Sequence, residues 1–257
     1  MLQFIISALL VGFFGGLFSG FFGIGGASVT IPLLRIFLGV PGHTALGTSL
    51  LLVVPTAATG AYVFYRRGLL KLKTIALCGV SGIAFSLIGA TLTLGVSGSI
   101  LMLLTAGVLL LFSALLAIDR EKGIYGLEGP QSTFQKASRS VFIGAVAGFS
   151  SGFLGIGGGV ILIPLLVFLR KIPLHKSIAA SLGIITIYAI PGSLAHFAFG
   201  HVDATLFLIL VCGQVAGAYI GAKNASQMRA EDLKRLSAAF LGALGVLLAA
   251  FELLAAG

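Results

Sequence analysis

Charged residues cut this chain into long apolar runs. Counting His as neutral, uncharged stretches cover positions 1 to 34, 36 to 65, 74 to 118, 140 to 169, 177 to 202, 204 to 222 and 236 to 251. A helix that crosses a bilayer needs about 20 apolar residues, so most runs hold one span and the longest, 74 to 118, holds two. The pattern predicts an all-α integral membrane protein, and hydropathy alone reports eight spans. One long polar segment, 119 to 139, interrupts the series and reads as a linker. The start, MLQFIISALLVGFF, lacks a basic region ahead of its apolar residues and is expected to belong to the mature fold rather than to a cleaved signal.

The apolar pattern repeats. SGFFGIGGASVTIPLL at 19 to 34 aligns with SGFLGIGGGVILIPLL at 151 to 166, 11 of 16 positions being identical at an offset of 132. The same ungapped register matches Pro41 to Pro173, His43 to His175, Ser49 to Ser181, Gly60 to Gly192, Gly68 to Gly200 and Ile88, Gly89, Ala90 to Ile220, Gly221, Ala222. An internal repeat decides an architecture before any single helix does. Two membrane repeats are therefore expected, 1–118 and 140–257, joined by the linker 119–139.

The placement of charge orients the two repeats, because cytoplasmic loops carry the Lys and Arg excess. Arg66, Arg67, Lys71 and Lys73 follow the second apolar segment of the first repeat, where the second repeat has only His201 and Asp203. One segment later the bias reverses: LGVSGS at 94 to 99 is uncharged, whereas its counterpart carries Lys223, Arg229, Lys234 and Arg235. Equivalent loops then lie on opposite sides, the signature of inverted-topology repeats. A linker with Arg120, Lys122, Lys136 and Arg139 is expected to be cytoplasmic, as is the loop with Arg170, Lys171 and Lys176. Both ends of segment 140 to 170 would face one side, so it must enter and return, broken near GFLGIGGG; by the repeat, segment 4 to 38 does the same at GFFGIGG. The expectation is a broken re-entrant pair plus three transmembrane helices per repeat, each half-helix having about 13 to 16 residues and reaching roughly 20 to 24 Å. That makes six full crossings and two re-entrant pairs, with both termini outside.

Composition sharpens the class. The chain is 58% hydrophobic and 9% charged, against about a quarter charged in soluble domains, which leaves no room for a soluble domain and excludes cytosolic enzymes, nucleic-acid binders and disulfide scaffolds. The net charge of +9 is distributed in short clusters between apolar runs and marks topology. Cys78 and Cys212 lie within apolar stretches without a partner motif and read as small buried hydrophobes. No metal set, catalytic residue or cofactor is expected.

Non-helical backbone at membrane depth survives only where protein or a watery cavity satisfies its polar groups. Corresponding breaks at Gly23, Gly25, Gly26 and at Gly155, Gly157, Gly158, Gly159 are thus the first pointers to a transport site. A half-helix starting after such a break offers unpaired N–H groups and a positive dipole end to an anion. Ser28 and Thr30 add hydroxyls in the first repeat, where the second has Val160 and Leu162. The competing reading is close helix packing by small residues. The seven carboxylates, Asp119, Glu121, Glu128, Asp203, Glu231, Asp232 and Glu252, lie in loops or near helix ends. Cation carriers usually place an acid within a span, so the cargo is expected to be an anion. Ser49, Ser181, Thr48, Thr186, Tyr188 and Gln214 could line a cavity or serve as interhelical glue. His43 and His175, each in a Pro-x-His pattern, and the intramembrane His196 are candidates for proton or substrate handling as well as for capping or helix contacts.

The duplicated SGFxGIGGxxxxIPLL, each copy followed by Pro-x-His and by Ser49 or Ser181, resembles the TauE/SafE sulfite exporter family of membrane permeases. The resemblance covers essentially the whole chain. It implies a multi-pass transporter of the plasma (inner) membrane for small sulfur-containing anions such as sulfite, thiosulfate or organosulfonates, with no enzymatic step. The family motif would fall on Gly23, Gly25, Gly26 and Pro32 and on Gly155, Gly157, Gly158 and Pro164. Ala27 and Ser28 stand where the second copy has Gly159 and Val160, so the halves are not chemically equal. The expected partners are the small anionic substrate and the lipid bilayer, a homodimer being an open option and nucleic acid none. Alternating access about the paired half-helix ends is the expected mechanism; an anion channel, or a permease for another small organic anion, is the alternative.

Overall fold

The computed structural model describes residues 2–118 and 132–256, and among these it is helical apart from short connections. The first repeat supplies α1 (Leu2–Phe22), α2 (Ala27–Leu38), α3 (Gly42–Arg66), α4 (Leu72–Leu92) and α5 (Gly98–Ile118). The second supplies α6 (Thr133–Leu154), α7 (Gly159–Arg170), α8 (Leu174–Ala198), α9 (Ala204–Ala225) and α10 (Ala230–Ala256). Eight of these are long and apolar enough to cross a membrane; only α2 and α7 are shorter. Apolar side chains such as Leu72, Val80, Leu208 and Leu254 are largely exposed on the outside, as a surface facing lipid requires.

Local chemistry explains several starts. Pro41 and Pro173 precede α3 and α8 with identical backbone angles, φ −55° and ψ 146°, the conformation proline favours just outside a helix. Asp203 caps α9 by accepting from the amide of Leu206 at 2.9 Å. Ser132 and Gln135 form a reciprocal capping box at the start of α6, so positions 133–139, read above as linker, are helical; 119–131 lie outside the described residues.

The breaks fall at the expected glycines, between Phe22 and Ala27 and between Leu154 and Gly159, but their limbs are unequal. In place of two half-helices of 13 to 16 residues, each pair has one span-length limb, α1 or α6 with 21 or 22 residues, and one short limb of 12 residues, α2 or α7. The cause is glycine packing. Gly12, Gly16 and Gly20 of α1 lie against the backbone of Leu210, Gln214 and Ala218 of α9, and Gly144, Gly148 and Gly152 of α6 against Cys78, Gly82 and Ser86 of α4. Any Cβ at Gly16 or Gly152 would overlap a carbonyl oxygen. Small residues allow such approach in membranes, and the contact holds the long limbs helical well past their middles. Both pairs are parallel and are related by the offset of 132, so each repeat's first helix packs on the other repeat's fourth.

The helix ends segregate. Arg170 bonds the carbonyl of Lys136 and, at 2.6 Å, Ser140 Oγ, and Arg139 bonds the carbonyl of Leu169, tying the start of α6 to the end of α7. Arg67 reaches the carbonyl of Ser226 and His175 that of Met228 at the same end. The opposite end gathers His43, Val96, His201 and Asp203. Cys78 is buried as expected, but Cys212 is exposed, because the glycine face of α9 turns toward α1 and leaves Cys212 outward.

Candidate functional site

Each break is built from glycines in the left-handed region: Gly23, Gly25 and Gly26 at φ 71°, 82° and 92°, and Gly155, Gly157 and Gly158 at 66°, 72° and 70°. An L-residue there costs about 1–2 kcal/mol, which is why the chain can leave α1, turn back and start α2 only through this composition.

The two breaks meet. Ser28 Oγ donates to the carbonyl of Ile156 at 3.0 Å, and a methyl group placed on Gly159 would lie 2.5 Å from Ile24 Cα. Val53, near the middle of α3, faces both Gly25 and Gly157, and Ile185, near the middle of α8, faces Gly25. The crossing therefore sits at the centre of the bundle, among buried residues such as Ile24, Val53 and Ile185.

The sequence-derived candidates separate into groups. Gly23, Gly25, Gly26, Ser28, Gly155, Gly157, Gly158, Gly159 and Ser181, whose hydroxyl donates to the carbonyl of Gly23, line the crossing. Ser28 and Ser181 are thus committed to backbone carbonyls, and Thr186 to its own helix at Leu182. Ser49, Thr30 and Gln214 are fully buried and have no side-chain hydrogen bond among the described residues. Thr48 lies at the end of the bundle, accepting from the Asp203 amide. His43 Nε2 and His175 Nε2 contact the carbonyls of Val96 and Met228 at 3.1 and 2.9 Å, equivalent bonds at opposite ends and away from the breaks. His196 Nε2 lies 2.8 Å from the carbonyl of Gly152 and its Nδ1 3.1 Å from Nδ1 of His201, with the His43 ring 4.9 Å from that of His201.

Three residues gain importance from the fold. Ser19 is fully buried beside Gly26 and has no hydrogen-bond partner among the described residues; as the first residue of the repeated SGFxGIGG, its spacing carried the signal. Tyr188, weighed above only as a cavity hydroxyl, donates to the carbonyl of Gly157 at 2.8 Å and abuts Gly158. His201 joins His43 and His196, which no sequence spacing reveals because three different elements supply the rings. A cavity of about 20 Å³ between Ile24, Val160, Ile178 and Lys234 leads from the basic end toward the crossing; it admits about one water and no larger solute. Ile24, Val53 and Ile185 at the crossing are 2% exposed or less, so the crossing is shut to solvent among the described residues.

A family model described as Sulfite exporter TauE/SafE matches residues 8–248. The chain is 35% identical to the probable membrane transporter protein YdhB of Bacillus subtilis over 91% of this chain and 94% of that one. It is 30% identical to the probable membrane transporter protein YunE of the same organism, over 90% and 92%, and 24% identical to the probable membrane transporter protein MJ0441 of Methanocaldococcus jannaschii, over 93% and 92%. No solved structure matches.

Proposed function

Because the chain belongs to the TauE/SafE sulfite exporter family, and is a multi-pass membrane transporter rather than an enzyme, we propose that it carries small sulfur-containing anions such as sulfite, thiosulfate or organosulfonates out of the cell. The family's usual location is the plasma membrane. The observation that carries the reading is the meeting of the two glycine breaks at the centre of the bundle, joined by Ser28 and Ile156. A helix N-terminus there, at α2, favours negative charge, and no carboxylate among the described residues lies at the crossing to favour a cation.

The mechanism is alternating access between two inverted halves. Inversion is supported by the gathering of Arg67, Arg139, Arg170 and His175 contacts at one end, which the charge rule makes cytoplasmic, and by α1 and α6 starting at opposite ends. The closed crossing must open alternately to each side, with the parallel pairs α1 with α9 and α4 with α6 moving as units because their glycine contacts leave no slack. The membrane potential, worth about 2.3 kcal/mol per charge per 100 mV, drives an anion outward.

Flux of labelled sulfite, thiosulfate and sulfonates in proteoliposomes tests the reading. Saturable, potential-sensitive flux is expected for at least one. Flux that never saturates identifies an anion channel, and none for any of these anions in folded protein overturns the cargo class.

A further inference from the structure

The two breaks share a backbone path but not a chemistry. Around Gly26, which precedes α2, three buried side chains converge without protein partners among the described residues: Ser19 Oγ, Thr30 Oγ1 and both amide atoms of Gln214. A methyl group on Gly26 would lie 2.5 Å from Gln214 Nε2 and 3.3 Å from Ser19 Oγ, and one on Gly15, a turn before Ser19 on α1, 2.5 Å from Thr30 Oγ1. The amides of Ala27 and Ser28, in the first turn of α2, are left outside its helical ladder, whose first bonds to the Gly26 carbonyl come from Val29 and Thr30.

The second break lacks this set. Leu162 stands in place of Thr30 and Gly82 in place of Gln214. The position that Gln214 takes against Gly26 is filled at Gly158 by Tyr188, whose hydroxyl is satisfied by the carbonyl of Gly157. Of the constellation only the hydroxyl of Ser151, the counterpart of Ser19, remains without a partner.

We propose that the anion site lies at the first break alone, formed by Ser19, Thr30 and the N-terminus of α2 together with Gln214 from α9 of the second repeat, and that it selects an oxyanion bearing one negative charge and a proton. The inference rests on the transporter reading above and refines its substrate. Leaving a buried donor or acceptor unpaired is costly, so a cluster of them marks a ligand. Its donors are neutral, and burying a dianion without a cation costs far more than burying a monoanion. Gln214 also presents Oε1, an acceptor that only a protonated ligand can use. The elements packed here are α1, α2, α3, α8, α9 and α10. Their titratable groups lie toward the helix ends: His43 and Arg66 on α3, His175, Lys176 and His196 on α8, Lys223 on α9, the acidic and basic first turns of α10, and the ion-paired Arg35 and Glu252 on α2 and α10.

The test is binding to the full-length purified protein of sulfite at pH 6 and pH 8, of methanesulfonate, singly charged without a proton, and of sulfate, doubly charged throughout. Sulfite is expected to bind in proportion to its monoanion, more tightly than methanesulfonate and far more tightly than sulfate, with His43→Asn leaving that trend in place. Gln214→Leu and the near-isosteric Ser19→Ala/Thr30→Val pair should each weaken binding about tenfold or more, the worth of a hydrogen bond to a charged ligand, while Ser151→Ala should not. Folding of each variant is checked by its unliganded melting, and the Ser19/Thr30 pair keeps the test alive if Gln214→Leu does not fold. Sulfate binding as well as sulfite overturns the charge selection. Folded variants that bind like the wild type, with wild-type flux intact, overturn the site but not the transporter; no binding and no flux of any anion overturns the reading beneath both.

Discussion

Ser28 Oγ donates a hydrogen bond to the carbonyl oxygen of Ile156 at 3.0 Å, so that a side chain of the first break satisfies the backbone of the second. Its counterpart Val160 cannot return the bond. Ser28→Ala should strand a buried carbonyl and cost about 1–3 kcal/mol, read as a lower melting temperature in detergent. Since the sequence has no Trp, melting is followed by circular dichroism or by labelling of buried Cys78 in a Cys212→Ser background.

Glycines of equal hydropathy should differ sharply in tolerance. Gly16 abuts the carbonyl of Gln214, whereas Gly107 on α5 has nothing within 4 Å of an added Cβ. Gly16→Ala is expected to destabilise by about 1–3 kcal/mol through overpacking and to lower the yield of monodisperse protein. Gly107→Ala should raise stability by up to about 1 kcal/mol through helix propensity. Equal effects of the two would refute the close approach of α1 to α9.

The repeat, the breaks and the membrane environment were legible because they follow from composition and a fixed offset. The unequal lengths of the two limbs were not, since hydropathy cannot reveal that α1 is held helical along its length by a partner almost two hundred residues later. Gly12, Gly16 and Gly20, with Gly213, Gly217 and Gly221, recur every four residues, a spacing suited to close helix packing that the reading by hydropathy does not use. The start of α6 is missed by that reading, which gives positions 133–139 to the linker, although Ser132 and Gln135 stand at capping-box spacing there. At the site, the glycines and Gln214 were legible as residue types, but which hydroxyls remain available depends on three-dimensional partners: Ser28 and Ser181 are used by carbonyls, and Ser19 is not.

Acid should loosen the end where His201 meets His196 and His43. Burial is the first cause holding the His201 imidazole below its usual pKa, and the charge of His43 the second. The folded protein then binds fewer protons there than the unfolded chain, so stability is full at pH 7.5 and falls as pH drops through the unfolded value of about 6.5. The carbonyl of Gly152 requires a proton on His196 Nε2, and protonating both rings would set two Nδ1–H groups head to head. Melting temperature should fall from pH 7.5 to pH 5, and less so in His201→Asn; an identical slope in the variant would refute the role.

Arg35 and Glu252 pair at 2.5 Å, joining the end of α2 to that of α10, with Glu252 only 1% exposed. Arg35 also donates to the carbonyl of Val40 and lies over the ring of Phe251. Arg35→Met alone should cost about 3 kcal/mol or more by leaving a buried carboxylate unpaired, whereas Arg35→Met with Glu252→Leu should recover most of that loss. Melting temperatures of the two variants decide it.

The interleaving of the repeats carries a consequence for biosynthesis. The glycine face of α1 finds its complement only when α9 has been made, about 10 to 40 s later at ordinary translation speeds. During that interval the newly inserted first helix must shelter its grooved face in lipid or against the insertion machinery, and a ribosome halted between the repeats would leave a membrane-embedded half whose docking surfaces fit a second half supplied in trans.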